Sequence, residues 1–123
     1  MLLLTACAAA PPARPPVKIG EEFPLALGES VGIERKGIVL KFEKVLEDSR
    51  CPMNARCFWE GNARIAIKAS DSAAKRYELN TSTRFNTSAK ITDFTLELRR
   101  LEPDRLAGAP TKGYVAILFV GAQ

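Results

Sequence analysis

The sequence predicts an all-β fold, either a small antiparallel β-sandwich, Ig-like in shape, or an open barrel, with about seven strands and one disulfide. Three features of residues 18–123 carry that expectation. Apolar and polar residues alternate in short runs, the period of a strand with one face in a core. Clusters of Gly, Pro, Asn, Asp and Ser interrupt these runs about every 8 to 12 residues, as in hairpin-linked strands. No segment reads as a helix without a competing strand pattern.

Element by element, "EFPLAL" places Phe23, Leu25 and Leu27 on one face, and Pro24, which cannot donate to a ladder, marks an edge strand. "SVGIE" turns Val31 and Ile33 inward between turns at Gly28-Glu29 and Lys36-Gly37. In "GIVLKFEKVLED" the residues Ile38, Leu40 and Phe42 alternate, then Val45 takes over the inward phase, so a bulge is expected near Glu43-Lys44. "NARIAIKAS" alternates Ala63, Ile65 and Ile67; "KRYELN" alternates Tyr77 and Leu79. "TSTRFNTSAK" reads as a polar loop.

"DFTLELRRLEP" fits two periods: Ile91, Phe94, Leu98 and Leu101 on a helical face, or Phe94, Leu96 and Leu98 on a strand broken at Arg99-Arg100. β-Branched neighbours and Pro103 favour the strand. "YVAILFV" is apolar on both faces, as a central strand covered on both sides would be. The Cys to Trp to Cys spacing of immunoglobulin domains is absent, so the likeness is one of shape only.

At 123 residues, 46% hydrophobic and 26% charged, the chain has the composition of one globular domain. The 18 cations and 14 acids leave a net charge of +4 but are interspersed, as in "ERKGIVLKFEKVLEDSR", and aromatic residues do not interleave with the basic ones. That pattern argues against nucleic-acid binding and describes a mixed-charge surface drawn at most to anionic lipid headgroups. No run approaches the roughly 20 apolar residues of a membrane-crossing helix.

The first residues read as an address. Leu4-Thr5-Ala6-Cys7 resembles the lipobox of bacterial lipoprotein precursors. The resemblance implies cleavage before Cys7, lipidation of Cys7 and anchoring in a membrane by several acyl chains. Only Leu2 to Leu4 precede the box and no Lys or Arg does, so the true start of the signal segment is expected upstream of Met1. Residues 8–17, rich in proline, read as a polyproline-II tether to the domain at 18–123. Ala8 after the cysteine, in place of aspartate, implies the outer membrane, facing the periplasm. In a bacterium the glycosylation sequons at Asn80 and Asn86 have no role.

Lipidation of Cys7 leaves Cys51 and Cys57 as an even pair in an oxidising compartment. Redox catalysis is disfavoured, because the spacing is C-x5-C between strands, not C-x-x-C at a helix start. Cys51, Met53 and Cys57 together offer a soft-metal alternative suited to copper, but there is no histidine, the commonest transition-metal ligand and general base. Without histidine a Ser-His-Asp triad is impossible, and Glu47, Asp48 and Glu60 read as solvated turn carboxylates. The expectation is therefore a Cys51–Cys57 disulfide closing a small loop, no metal or cofactor, and no enzymatic activity. Phe58 and Trp59 alternate in facing, so one packs under the bridge and the other lies outside, while Gly61 gives the chain room to re-enter the sheet.

"EDSRCPMNARCFWEGNARI" is similar to the D-S-R-C-P-x4-C-x-W-x-G-x-A motif of a family of small uncharacterised bacterial proteins, many of them predicted lipoproteins. A leading F-x-L-x-x-G-x-S-V (Phe23, Leu25, Gly28, Ser30, Val31), a late L-x-P (Leu101, Pro103) and a closing strand led by Tyr114 extend the resemblance. It implies a secreted or lipidated β domain with a disulfide, and no activity. The functional expectation is a non-catalytic envelope lipoprotein whose tethered domain binds a protein, peptide or glycan, or supports the envelope. Asp48 accepting bonds in a turn and Arg50 pairing with it while covering apolar surface is the structural reading of this segment; in the functional one Arg50, Arg56 and Trp59, residue types enriched in interface hot spots, form the candidate binding patch. An alternative is a protease inhibitor presenting "PMNAR" as a constrained loop.

Overall fold

Two four-stranded antiparallel sheets face each other in a sandwich, in a computed structural model that describes residues 14–71 and 73–123. The lipobox, Cys7 and the tether up to residue 13 lie outside the described residues. Eight strands make the sheets: β1 (Glu22–Ala26), β2 (Ser30–Ile33), β3 (Ile38–Asp48), β4 (Ala63–Ser70), β5 (Ala74–Asn80), β6 (Ser88–Ile91), β7 (Phe94–Glu102) and β8 (Val115–Ala122). One sheet is ordered β2-β3-β4-β5 and the other β1-β8-β7-β6. Each is a meander except that β1 adds beside β8, so the first and last strands close the second sheet.

The alternation in the sequence becomes the core. Val31 and Ile33, Ile38, Leu40 and Phe42, Ala63, Ile65 and Ile67, and Leu79 are buried from the strands of one sheet, and Phe23, Leu25, Phe94, Leu96, Leu98, Ala116, Leu118 and Val120 meet them from the other. Burial of each large side chain contributes about 1.5–3 kcal/mol. The register of β3 shifts between Phe42 and Lys44, the expected bulge, and shifts again between Val45 and Glu47. β7 is a strand. Its interruption at Arg99 is a bulge between Leu98 and Arg100, after which Leu101 returns to the core and pairing continues to Glu102.

Three expectations are corrected. The eighth strand, β6, comes from the end of the segment read as a loop: Ser88–Ile91 pairs with β7 although only Ile91 is buried, too weak a pattern to find from sequence. Leu27 does not share the inward face of Phe23 and Leu25, because the chain turns at Gly28 (φ +87°) and leaves Leu27 45% exposed. β8 is central, between β1 and β7, but only one of its faces meets the other sheet. On its outer face the Arg99 guanidinium lies 4.4 Å from the Phe119 ring centroid, so a long polar side chain shields that face.

The domain also begins earlier than residue 18. Val17 is 5% exposed and forms a parallel bridge to Ile33, while Arg14 donates hydrogen bonds to the Pro24 carbonyl and to Glu29 Oε1.

Candidate functional site

Three connections meet at one end of the sandwich: residues 49–62 between β3 and β4, 81–87 between β5 and β6, and 103–114 between β7 and β8. A ladder of hydrogen bonds orders the first and joins it to the third. Cys51 N–H donates to Glu60 O (2.8 Å), Met53 N–H to Arg105 O (2.9 Å), Ala107 N–H to Asn54 Oδ1 (2.8 Å), and Arg105 Nη1 to Arg50 O (2.6 Å).

Arg50 is the hub. Its Nε and Nη2 each donate to one oxygen of Asp48 at 2.8 Å, the bidentate geometry that suits guanidinium to carboxylate. Its Nη1 reaches Leu101 O (2.6 Å) and Nη2 also reaches Pro103 O (3.0 Å), while Tyr114 donates its hydroxyl to Asp48 Oδ2 (2.9 Å). The D-S-R, L-x-P and Tyr-led segments quoted from the sequence are therefore one cluster, which ties the end of β3 to the end of β7 and the start of β8. Burial pushes the Asp48 carboxyl upward, but the hydrogen bonds from Arg50 and Tyr114 outweigh it and hold the group below the usual carboxylate range. The hydrogen bonds to Asp48 raise Arg50, and burial together with Asp48 raises Tyr114.

A second, uncharged network lies beside it. Asn62, Asn80 and Ser82 are buried; Asn62 Nδ2 donates to Asn80 Oδ1 (2.9 Å), Ser82 N–H to Asn62 Oδ1 (3.0 Å), Asn80 Nδ2 to Asn86 O (2.9 Å) and Ser82 Oγ to Glu60 Oε1 (2.9 Å). Ser49 binds Asn62 through both its N–H and its hydroxyl. Sequence reasoning missed these residues, treating Asn80 only as a sequon. The available signal was Asn62, a polar residue beside Gly61 at the entry to an apolar strand.

The pocket lined by Arg50, Cys51, Glu60, Gly61, Ser82 and Asp104 is an open groove between these loops. Of its charged groups, Glu60 accepts from Ser82 and Arg50 is committed as described. The arrangement holds the strand ends together.

Cys51 and Cys57 are joined in a disulfide, with Cα atoms 5.9 Å apart. With both thiols in the bridge, Met53 is the only one of the three sulfur residues left as a soft ligand. Among the described residues no group of three or more His, Cys, Asp or Glu side chains could hold a metal ion. Closing so short a loop is expected to contribute about 2 to 2.5 kcal/mol. Cys51→Ala/Cys57→Ala should lower the free energy of unfolding in urea by that amount, and an unchanged midpoint would remove the bridge from the stability account.

The three residues of the candidate patch are placed differently. The Arg50 side chain is 13% exposed and spent inward, so it offers little to a partner. Arg56 is exposed on the closed loop. Trp59 is 39% exposed, and the guanidinium of Arg84 lies 5.2 Å from its ring centroid. Phe58 does not pack under the bridge: it is fully exposed, as is most of Met53. Arg84 and Phe58 were not foreseen as part of this surface, the first because its loop is distant in sequence. Neither a family model, nor a curated protein, nor a solved structure matches the chain.

Proposed function

We propose that this protein is a non-catalytic lipoprotein of the bacterial cell envelope, anchored through Cys7 to the outer membrane, whose β domain docks onto an envelope component through its loop end. It belongs, on this reading, with the small disulfide-containing proteins that its D-S-R-C-P motif resembles. The observation that carries the docking role is the combination of rigidity and exposure. Phe58 and Met53 stand in solvent on a loop held by a disulfide, by bonds to the β7–β8 connection and by the Ser82 bond to Glu60. Apolar side chains on a pre-ordered loop lose little entropy on binding. The inhibitor reading is less favoured, because Ala55 N–H closes a turn on Pro52 O (3.1 Å), whereas main-chain recognition by a partner needs extended backbone.

A photocrosslinking residue at Phe58, in intact cells of the source organism, should capture a defined envelope component that the same residue at Val39 does not. Equal or no labelling at the two positions would sink the docking role, and release of Cys7→Ser from the membrane fraction checks the anchor. Trp59→Ala should cost about 1 kcal/mol through loss of its contact with Arg84, and Arg56→Ala less than about 0.5 kcal/mol. Both should weaken the crosslink; thermal melts alongside labelling separate scaffold from contact.

A further inference from the structure

We infer that the component met by the loop end is the surface of an anionic lipid bilayer, an inference that rests on the membrane-anchored reading above. Among the described residues, the exposed large hydrophobic side chains are gathered on one side: Leu27, Met53, Phe58, Trp59, Phe85 and Leu106 all lie in connections at or toward the loop end, and only Val39, on a strand, lies elsewhere. The charges interspersed with them favour anions. With the Asp48–Arg50 pair set aside as neutral, the three connections carry Arg56, Arg84, Arg105 and Lys112 against Glu60 and Asp104. Apolar tips between cations are the pattern that binds the headgroup region of an anionic leaflet.

The path of the chain supports the same orientation. Arg14 sits beside Glu29, and Val17 pairs in parallel with Ile33, its N–H donating to Gly32 O (2.9 Å) while Glu34 N–H donates to its carbonyl (2.8 Å). Residues 14–17 therefore run alongside β2 in its own direction, with Arg14 at the end of this segment nearer the loops. Gly28 N–H bonds to Phe42 O, which sets the β1–β2 turn level with Phe42. From Phe42 to Asp48, the base of the disulfide loop, β3 spans about 20 Å. Cys7 lies seven residues before Arg14, a separation that covalent geometry limits to about 25 Å in any conformation. That limit exceeds the span of about 20 Å, so the length of chain between Arg14 and Cys7 is sufficient for an acyl anchor to share the plane of the loop end.

The test uses the full chain with Cys7→Ser, which cannot be acylated, and vesicles of phosphatidylethanolamine and phosphatidylglycerol at about three to one, or of phosphatidylcholine alone. The protein should sediment with the anionic vesicles at least about tenfold more strongly, less so at high salt, and Trp59, the single tryptophan, should shift its emission to the blue. Met53→Ser/Phe58→Ser/Leu106→Ser should reduce binding about tenfold without changing the thermal melt. Arg56→Glu/Lys112→Glu should reduce it through charge, so a poorly folded serine variant does not decide the outcome. Absence of binding to anionic vesicles overturns the inference, as does binding that survives both loop variants or is lost instead with Leu2→Ser/Leu3→Ser/Leu4→Ser. If vesicles fail while the crosslinker at Phe58 captures one defined protein, the lipid inference falls and the docking role stands; if both fail, both fall.

Discussion

Gly61→Ala is expected to prevent stable folding. Gly61 adopts φ +74°, and a Cβ there would lie 2.0 Å from the Ser49 carbonyl oxygen, 2.7 Å from its carbon and 2.8 Å from Arg50 Cα. These are backbone atoms, and they are held in place. Ser49 N–H donates to Asn62 O, Cys51 N–H to Glu60 O, and the Arg50 side chain anchors the next peptide to β7. Relief of the clash would have to separate the two strand ends and break several of these bonds together. The expected loss is at least about 4 kcal/mol, most of the stability of a marginal domain. Gly108→Ala is the control, since Gly108 also has positive φ (+80°) but a Cβ there meets nothing within 4 Å. Backbone strain alone should cost about 1 kcal/mol. Comparable urea midpoints for the two variants would refute the close-approach argument.

Arg50→Ala should produce the second largest loss, about 3–5 kcal/mol, because it strands the Asp48 carboxylate, 9% exposed, and leaves the carbonyls of Leu101 and Pro103 without their donor. Arg50→Lys should recover less than half of that, since an ammonium cannot bond a carboxylate in two places and reach two carbonyls as well. Asp48→Asn/Arg50→Met should be more stable than Arg50→Ala, the penalty in the single variant being an unpaired buried charge. The pair also sets a pH dependence. The folded pKa of Asp48 is depressed, so its contribution is present above the unfolded value of about 3.9 and is lost as pH falls through the lower folded value. Stability of the native protein should drop below about pH 4, and Asp48→Asn should flatten that slope. Parallel slopes for the two proteins would contradict the ion-pair assignment.

The sandwich was legible because burial on one face of a strand imposes period two on the sequence itself. Phe23 and Leu25, Ile38 to Phe42 and Ile65 to Ile67 carry that period, and even the bulge after Phe42 left a visible change of phase. β6 was not legible, because a short edge strand with one buried residue imposes almost no pattern. The disulfide followed from counting cysteines and from the compartment that the lipobox implies. The site was legible only as a list of parts. Asp48, Arg50, Leu101, Pro103 and Tyr114 were each noticed, but nothing local indicated that a guanidinium after β3 would take its acceptors from the end of β7.

The sequence by itself determined the class of fold, the faces of most strands and the pairing of Cys51 with Cys57, because each depends on periodicity or on the count of a reactive residue. Only the tertiary structure decided that Arg50 also reaches the carbonyls of Leu101 and Pro103, that Phe58 turns outward and that Asn62, Asn80 and Ser82 share a buried network. Those outcomes depend on which connections the two meanders bring to one end of the sandwich. Contacts between segments far apart in the chain are set by strand order, and a linear pattern does not encode that order.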